Sequence, residues 1–222
     1  YAPHQQLTAL SFGPPVAMAS SVADLEAQIP VLDGPRIVVV NGVVDVELSS
    51  MTGPAGLHLS SMLDARREQP ERIASHFDRG DSQITDAYMA LNLAFGGDGA
   101  VVLIDDDVVI DVPIHIVDIE VPDETRNASC TGVVIELGAR SSATVVETRI
   151  GVGAEFGGSN IRTTVTLGNA ASLEHVLLQD VPPSHIHLSG VDVHQAADSR
   201  FLARSFNLGA SYGRAAYDVD LA

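Results

Sequence analysis

The 222-residue chain contains no lysine, no tryptophan and a single cysteine, Cys130. Without lysine it cannot supply the phosphate-binding lysine of a P-loop or the amine of a Schiff base, so both chemistries are excluded. One thiol excludes an internal disulfide framework and a four-cysteine metal site. No apolar run approaches the ~20 residues of a transmembrane helix.

Basic residues are also scarce: the chain has 12 arginines and a total of 29 aspartates and glutamates, which gives a net charge of −17. Such an acidic surface repels nucleic-acid phosphates and anionic lipids. The first twenty residues lack the basic and apolar regions of a secretory signal. We therefore expect a soluble, cytoplasmic chain whose partners are proteins.

A short pattern recurs in the second half: an apolar residue, a turn of small residues and a second β-prone run. The copies begin at Leu137, Leu167 and Val193, and Leu221 follows, at intervals of 30, 26 and 28 residues. Such intervals predict stacked supersecondary units. Because no helical periodicity follows residue 96, the units are predicted to be strands. The fold class is therefore a mainly β, right-handed parallel β-helix.

Apolar and polar residues alternate on the strand predicted around residues 110–121. The apolar positions are Ile110, Val112, Ile114 and Ile116. The register then shifts by one residue at Val117-Asp118 and resumes with Ile119 and Val121. We interpret this shift as a corner between two flat faces of the solenoid.

The first third of the chain differs from the rest. We divide the chain into a helix and hairpin segment over residues 1–96, which caps the solenoid, and a β-helix core over residues 97–222, incomplete at its C-terminal end. A helix is predicted to start at Ser21–Asp24, which resembles a capping box. Asn41-Gly42 predicts a type I′ hairpin between Ile37–Val40 and Val43–Val46.

Two further helices are predicted from apolar spacing. Leu59, Met62, Leu63 and Arg66 indicate one helix that Pro70 ends. A second helix begins behind Asp81 or Ser82 and ends at Gly96-Gly97. Its apolar positions are Ile84, Ala87, Tyr88, Leu91 and Phe95. An amphipathic helix here would cover the open edge of the first coil.

Two motifs that suggest a ligand have ordinary structural alternatives. Gly151–Gly158 resembles a phosphate loop, but the strand-like alternation of Ile161–Leu167 behind it favours a flexible turn. Asp105–Asp107 could bind calcium, although neighbouring carboxylates on one strand point in alternating directions, which favours a solvated turn.

Histidines are the remaining candidates for a metal site. His185 and His187 face one side of a predicted strand, and His175 and His194 lie about one coil away, so imidazoles could meet across neighbouring coils and bind Zn²⁺, Ni²⁺ or Fe²⁺. Exposed or hydrogen-bonded histidines are the competing interpretation. Cys130 is interpreted as an inert buried residue rather than a sulfur acceptor.

Several blocks together resemble the SufB/SufD family of iron–sulfur cluster assembly proteins, from about residue 36 to the end. They are Val40-Asn41-Gly42 with Glu47-Leu48-Ser49, Ala90-Leu91-Asn92 to Asp98-Gly99-Ala100, Pro113-Ile114-His115, Leu167-Gly168 to Leu173-Glu174-His175, and Gln195-Ala196-Ala197-Asp198-Ser199-Arg200-Phe201 with Ser205-Phe206. The last block is the most specific. The acidic composition and single cysteine are more similar to the SufD branch.

The resemblance implies a non-catalytic scaffold subunit of a SufBCD complex, which pairs with a SufB-like protein and works with a SufC-like ATPase. It also implies that further coils and a SufC-docking segment follow in the family. No catalytic, cofactor-binding or metal-ligating residue is carried over, so this chain alone is expected to bind no cofactor. For the full complex, the resemblance implies an iron–sulfur cluster and a flavin.

Two further expectations concern partners and an alternative function. A solenoid end left uncovered around Tyr217–Leu221 predicts self-association of the chain. The alternative function is a β-helix polysaccharide lyase acting on acidic sugars, with calcium and a basic residue. That enzyme needs a basic cleft, and the arginines of the late coils are Arg162, Arg200, Arg204 and Arg214.

Overall fold

The computed structural model describes residues 10–12, 22–81, 87–121, 127–153 and 155–221. The strands are β1 Ser11–Phe12, β2 Arg36–Val40, β3 Val43–Ser50, β4 Leu57–Ser61, β5 Gly99–Ile104, β6 Ile114–Glu120, β7 Asn127–Leu137, β8 Ser142–Gly151, β9 Gly158–Leu167, β10 Ser172–Val181, β11 Ile186–Gln195, β12 Arg200–Gly209 and β13 Tyr212–Leu221. The helices are α1 Val22–Glu26, α2 Met62–Glu68, α3 Pro70–Asp81 and α4 Ala87–Phe95.

From β5 onward, consecutive strands alternate between two facing sheets. Sheet A has the order β13-β11-β9-β7-β5-β4 with β1 beside β7, and sheet B has the order β12-β10-β8-β6-β2-β3. The ladders from β5 to β13 are all parallel. Each coil gives one strand to each sheet, so parallel neighbours need no helical crossover. The predicted parallel β-solenoid is confirmed, with about four turns.

The turns from sheet A to sheet B form a regular column of corners. After β7, β9 and β11 the corner has four residues, and its third residue has a left-handed backbone: Arg140 (φ 59°), Ala170 (φ 56°) and Asp198 (φ 61°). The corners bond to one another, since Arg140 N–H donates to Asn169 O at 2.8 Å and Ala170 N–H donates to Ala197 O at 2.9 Å. This repeated turn is the physical origin of the sequence repeat.

The strand ladders correct the alignment of the third copy. Leu137 pairs with Leu167, as the sequence predicts, but Leu167 pairs with Gln195 and not with Val193. The structural intervals are therefore 30 and 28 residues. Gln195 takes the place of a leucine at this position, so an apolar pattern alone selects the wrong residue.

Antiparallel strands, not helices, form the first edge of each sheet. β3 pairs with β2 at the edge of sheet B, and β4 pairs with β5 at the edge of sheet A. The predicted hairpin is confirmed, because Asn41 (φ 49°) and Gly42 (φ 81°) both have positive φ and Val40 pairs with Val43. The predicted first helix is also confirmed as α1, while Ser21 lies outside the described residues.

The helices α2, α3 and α4 lie on the outer face of sheet A. Met62, Ala65 and Ile73 pack against Val101 and Val134. The prediction of a helix containing Leu59 is wrong, because Leu59 belongs to β4 and Ser61 caps α2 by accepting from Asp64 N–H.

Proline has two roles at the junction of these helices. Pro70 follows the end of α2, as predicted, but it also begins α3, because the first turn of a helix needs no proline N–H. The other predicted helix is confirmed over Ala87–Phe95, whereas Asp81 ends α3 instead of preceding α4. Ser82 and Ile84 lie outside the described residues. Among the described residues, no helix is long and apolar enough to cross a membrane.

Strand β6 contradicts the predicted register shift. It runs unbroken over Ile114–Glu120, and Asp118 lies on the same side as Ile114 and Ile116. The apolar residues that suggest the shift, Val117 and Ile119, face outward and are buried beside the hairpin strand β2 and against Leu25 and Ile29. What changes at residue 118 is the chemistry of the interior, which becomes acidic.

Candidate functional site

The interior of the solenoid is aliphatic on one side and polar on the other. Beside the four-residue corners, inward side chains such as Val145, Val165 and Val193 form one apolar cluster. Farther from the corners on the same strands, the inward positions are polar or charged and remain buried. They include Asp118, Glu120, Thr131, Glu147, Arg149, Ser159, Thr163, His175, Gln179, His187 and Ser189.

Glu147 is the centre of this polar region. Its carboxylate accepts from Arg149 Nη2 at 2.7 Å, from Thr163 Oγ1 at 2.9 Å and from His175 Nε2 at 2.7 Å. Strands β8, β9 and β10 supply these residues, so the contacts cross between sheets and between coils. Burial alone would raise the pKa of Glu147, but the charge of Arg149 and the bond from His175 hold it well below its ordinary range. The carboxylate is therefore ionised and balanced by Arg149.

Arg149 extends the network to His187. Its Nη1 lies 3.3 Å from His187 Nε2, and His187 Nδ1 lies 2.7 Å from Ser159 Oγ. Because a guanidinium only donates, Nε2 must be the acceptor, so the proton of a neutral His187 is on Nδ1. Burial, and then the charge of Arg149, lowers the pKa of His187 well below its ordinary value. His187 is accordingly neutral.

Two acidic groups lie one coil earlier. Asp118 Oδ2 accepts from Thr131 Oγ1 at 2.6 Å, and burial raises the pKa of Asp118 to about 6. Glu120 is buried on the same side of β6, and burial raises its pKa well above the ordinary value. Unlike Glu147, neither group has an arginine hydrogen-bonded to it among the described residues.

The structure separates the four histidines that the sequence suggested as a metal site. His175 and His187 both lie inside but contact different partners, Glu147 and Arg149. His185 is buried just before β11. His194 lies on the outer side of β11, 3.4 Å from Asp220. Among the described residues, no three histidine, cysteine, aspartate or glutamate side chains are placed to hold a metal ion.

Cys130 is buried, as predicted, and lies apart from the interior network. Its neighbour Thr131 points inward to Asp118, so Cys130 faces the other side of sheet A. Burial, with a contribution from Asp118, raises the pKa of its thiol to about 12. A thiol with so high a pKa is a poor nucleophile and a poor metal ligand.

The two suggested ligand loops both connect strands. Residues 152–157 connect β8 to β9, and no helix follows them. Asp105–Asp107 lie in an exposed turn whose charges are paired within the chain, since Asp107 binds Arg140 at 2.6 Å and Asp105 lies 3.0 Å from His58.

Sequence reasoning missed the central residues, Glu147 and Arg149. A signal for them exists, because they occupy inward positions in phase with Ala143 and Val145 on one strand. A glutamate and an arginine two residues apart in a strand face the same side. Charges on the buried side of a strand are rarely found unless they are paired.

These features define a two-sheet parallel β-solenoid with a buried ionic interior and with α2, α3 and α4 along the outer face of sheet A. Two family models match this chain: the SufBD protein N-terminal region over residues 18–116, and the SUF system FeS cluster assembly SufBD core domain over residues 120–222. The chain therefore belongs to the SufB/SufD family, whose role is in iron–sulfur cluster assembly by the SUF system. A comparison with curated proteins found no match.

Proposed function

We propose that the chain is a SufD-like scaffold subunit, which pairs with a SufB-like protein and works with a SufC-like ATPase. The observation that carries this proposal is the solenoid matched by both family regions, combined with an interior in which Arg149, Thr163 and His175 bind the Glu147 carboxylate. Glu147 is already held by three donors, and the one thiol is buried with a raised pKa. The SufD branch is favoured by the net charge of −17 and the single cysteine.

Co-purification tests the partners. A tagged form of this chain is expressed together with the SufB-like and SufC-like proteins of the same organism, then captured and passed through size exclusion. We expect all three proteins to elute together. Elution of the chain without the SufB-like protein would contradict the proposal. Light scattering on the chain alone tests the predicted self-association through β13, where Val219 and Leu221 are exposed.

The iron–sulfur cluster is treated as the product of assembly rather than a resident group of this chain. The described residues do not fit a [4Fe–4S] cluster, which takes four thiolates, because Cys130 is one buried thiol. Anaerobic reconstitution with iron and sulfide is expected to leave the monomeric chain without stoichiometric cluster. A brown monomer with four irons would overturn this expectation.

We also propose that the chain is not an enzyme. A lyase needs an exposed basic residue beside acidic groups. Arg162 is instead buried against Asp192 at 2.8 Å, and Arg204 forms an ion pair with Glu174. Assays with ATP and with polygalacturonate plus calcium are expected to show no turnover, and calcium-dependent release of unsaturated sugars would favour the lyase.

A further inference from the structure

Two buried side chains outside the Glu147 network, Glu120 and His185, have polar atoms without a hydrogen bond. Glu120 and His185 are 2% and 0% exposed. Both carboxyl oxygens of Glu120 and the Nε2 atom of His185 lack a hydrogen-bond partner among the described residues. Gly158 N–H and the Ser159 hydroxyl lie near the Glu120 carboxyl and act to lower its pKa, and Ser159 Oγ also contacts His187 Nδ1 at 2.7 Å. Buried polar atoms without partners are costly, so a group that satisfies both is expected.

Both atoms face the same small space, and glycines line it. A methyl group placed on Gly157 would lie 2.6 Å from Glu120 Oε1 and 2.9 Å from His185 Nε2. The two atoms are therefore at most 5.5 Å apart, which is the sum of those distances. A methyl group on Gly151 would also lie 2.9 Å from His185 Nε2. Any side chain at either glycine would enter this space.

We propose that Glu120 and His185 bind a divalent transition-metal ion between them. One carboxylate oxygen and one imidazole nitrogen each bind such an ion at about 2.0–2.2 Å, which places the two ligand atoms roughly 3–4 Å apart. The upper limit of 5.5 Å on the distance between Glu120 Oε1 and His185 Nε2 is compatible with this separation. The imidazole nitrogen favours Zn²⁺ or Fe²⁺ over Ca²⁺ and Mg²⁺. This site goes beyond the proposed function, and either can fail without the other.

Two protein ligands leave coordination positions open. The Ser129 hydroxyl is a candidate for one, because it is also buried without a hydrogen bond and Ser129 is paired with Ser159, which faces Glu120. Water supplies the remainder. The ion would link β6 to the segment before β11 at the connections between sheet B and sheet A, where loops rather than corners join the strands.

Metal content of the untagged chain tests the site. The chain is stripped with a chelator, loaded with Zn²⁺, or with Fe²⁺ or Co²⁺ under anaerobic conditions, desalted and measured for metal per chain. We expect one equivalent, with Co²⁺ absorption typical of nitrogen and oxygen ligands. Glu120→Gln and His185→Gln are each expected to weaken binding on the order of tenfold or more.

Controls separate this site from other surface groups. His194→Gln removes a histidine at the opposite end of β11, and Asp180→Asn removes an exposed carboxylate, so both should keep the parent stoichiometry. Circular dichroism checks that each variant folds. The measurement on the parent chain is decisive by itself: if that chain retains no stoichiometric metal, the proposal is wrong. It is also wrong if both ligand variants bind like the parent, or if a high-resolution structure of the loaded chain shows only water between Glu120 and His185.

Discussion

The two sides of the solenoid interior share the same strands but differ in chemistry. On the corner side, the inward residues are aliphatic and stack in register, as Val145 does above Ile114. On the opposite side, the same strands bury Glu147 and Arg149 as an ion pair. The parallel ladder is continuous through both sides, so backbone hydrogen bonding does not depend on which kind of side chain fills the coil. The aliphatic side can stabilise the coil, which leaves the other side available for polar chemistry.

The largest effect is expected from unbalancing the polar side. Glu147→Leu leaves Arg149 buried without its carboxylate and should lower the free energy of unfolding by about 3–5 kcal/mol. The double variant Glu147→Leu with Arg149→Met removes both charges and should recover much of that loss. Urea unfolding measures both. A double variant as unstable as the single one would contradict the charge-balance explanation.

A cavity on the aliphatic side should have a somewhat smaller effect. Ile135→Ala empties part of the apolar cluster and should lower the free energy of unfolding by about 3 kcal/mol. Ser189→Ala is the matched change on the polar side, where the hydroxyl makes only a 3.4 Å bond to Arg214 O, and it should cost less than about 1 kcal/mol. Equal losses of unfolding free energy in Ile135→Ala and Ser189→Ala would contradict the expected difference between the aliphatic and polar sides.

A pH-dependent difference is expected at the outer face of sheet B. His115 is buried there with Nε2 2.8 Å from Thr148 Oγ1, and burial, followed by the charge of Arg36, lowers its pKa to about 4 from an ordinary 6.5. Its contribution to stability is therefore complete above pH 6.5 and is lost as the pH falls toward 4. The loss is on the order of 2–3 kcal/mol.

Comparison with His115→Gln isolates this contribution, because other buried groups titrate in the same window and Asp118 acts in the opposite direction. Unfolding is measured from pH 7 to pH 4. The parent should lose more stability than the variant. An exposed histidine, His58, provides the control His58→Gln, which should follow the parent. Parallel curves for the parent and His115→Gln would show that His115 is not responsible.

The smallest effect is expected at the corners. Ala170→Gly relieves a left-handed alanine and should raise the free energy of unfolding by about 0.5–1 kcal/mol. Ala197→Gly changes an exposed corner alanine without positive φ and should not stabilise the chain. If both substitutions destabilise the protein, the corner backbone is not strained.

Sequence alone predicted the solenoid, the Asn41-Gly42 hairpin and the helix over Ala87–Phe95, because each depends on local turn chemistry or on periodicity. Prediction from sequence fails where the fold buries charged residues, because the usual pattern places such residues on the solvent side of a strand. Asp118 is an inward carboxylate at a position where the apolar pattern predicts a solvent-facing residue, so the pattern predicts a register shift that the strand does not have. The pairing of Glu147 with Arg149 can be inferred from their spacing on one strand, but their contacts with Thr163, His175 and His187 come from other strands, which a single strand does not reveal.

The corner column also determines where the chain can change length. Corners after β7, β9 and β11 all have four residues, whereas the connections on the opposite side have six residues after β6 and β8, four after β10 and two after β12. Each corner bonds to the next through its third residue, so an added residue there would displace every coil beyond it. From β7 onward, length therefore varies only on the side opposite the corners, which makes the loop at Gly153 a practical place to graft a foreign peptide or a fluorescent label.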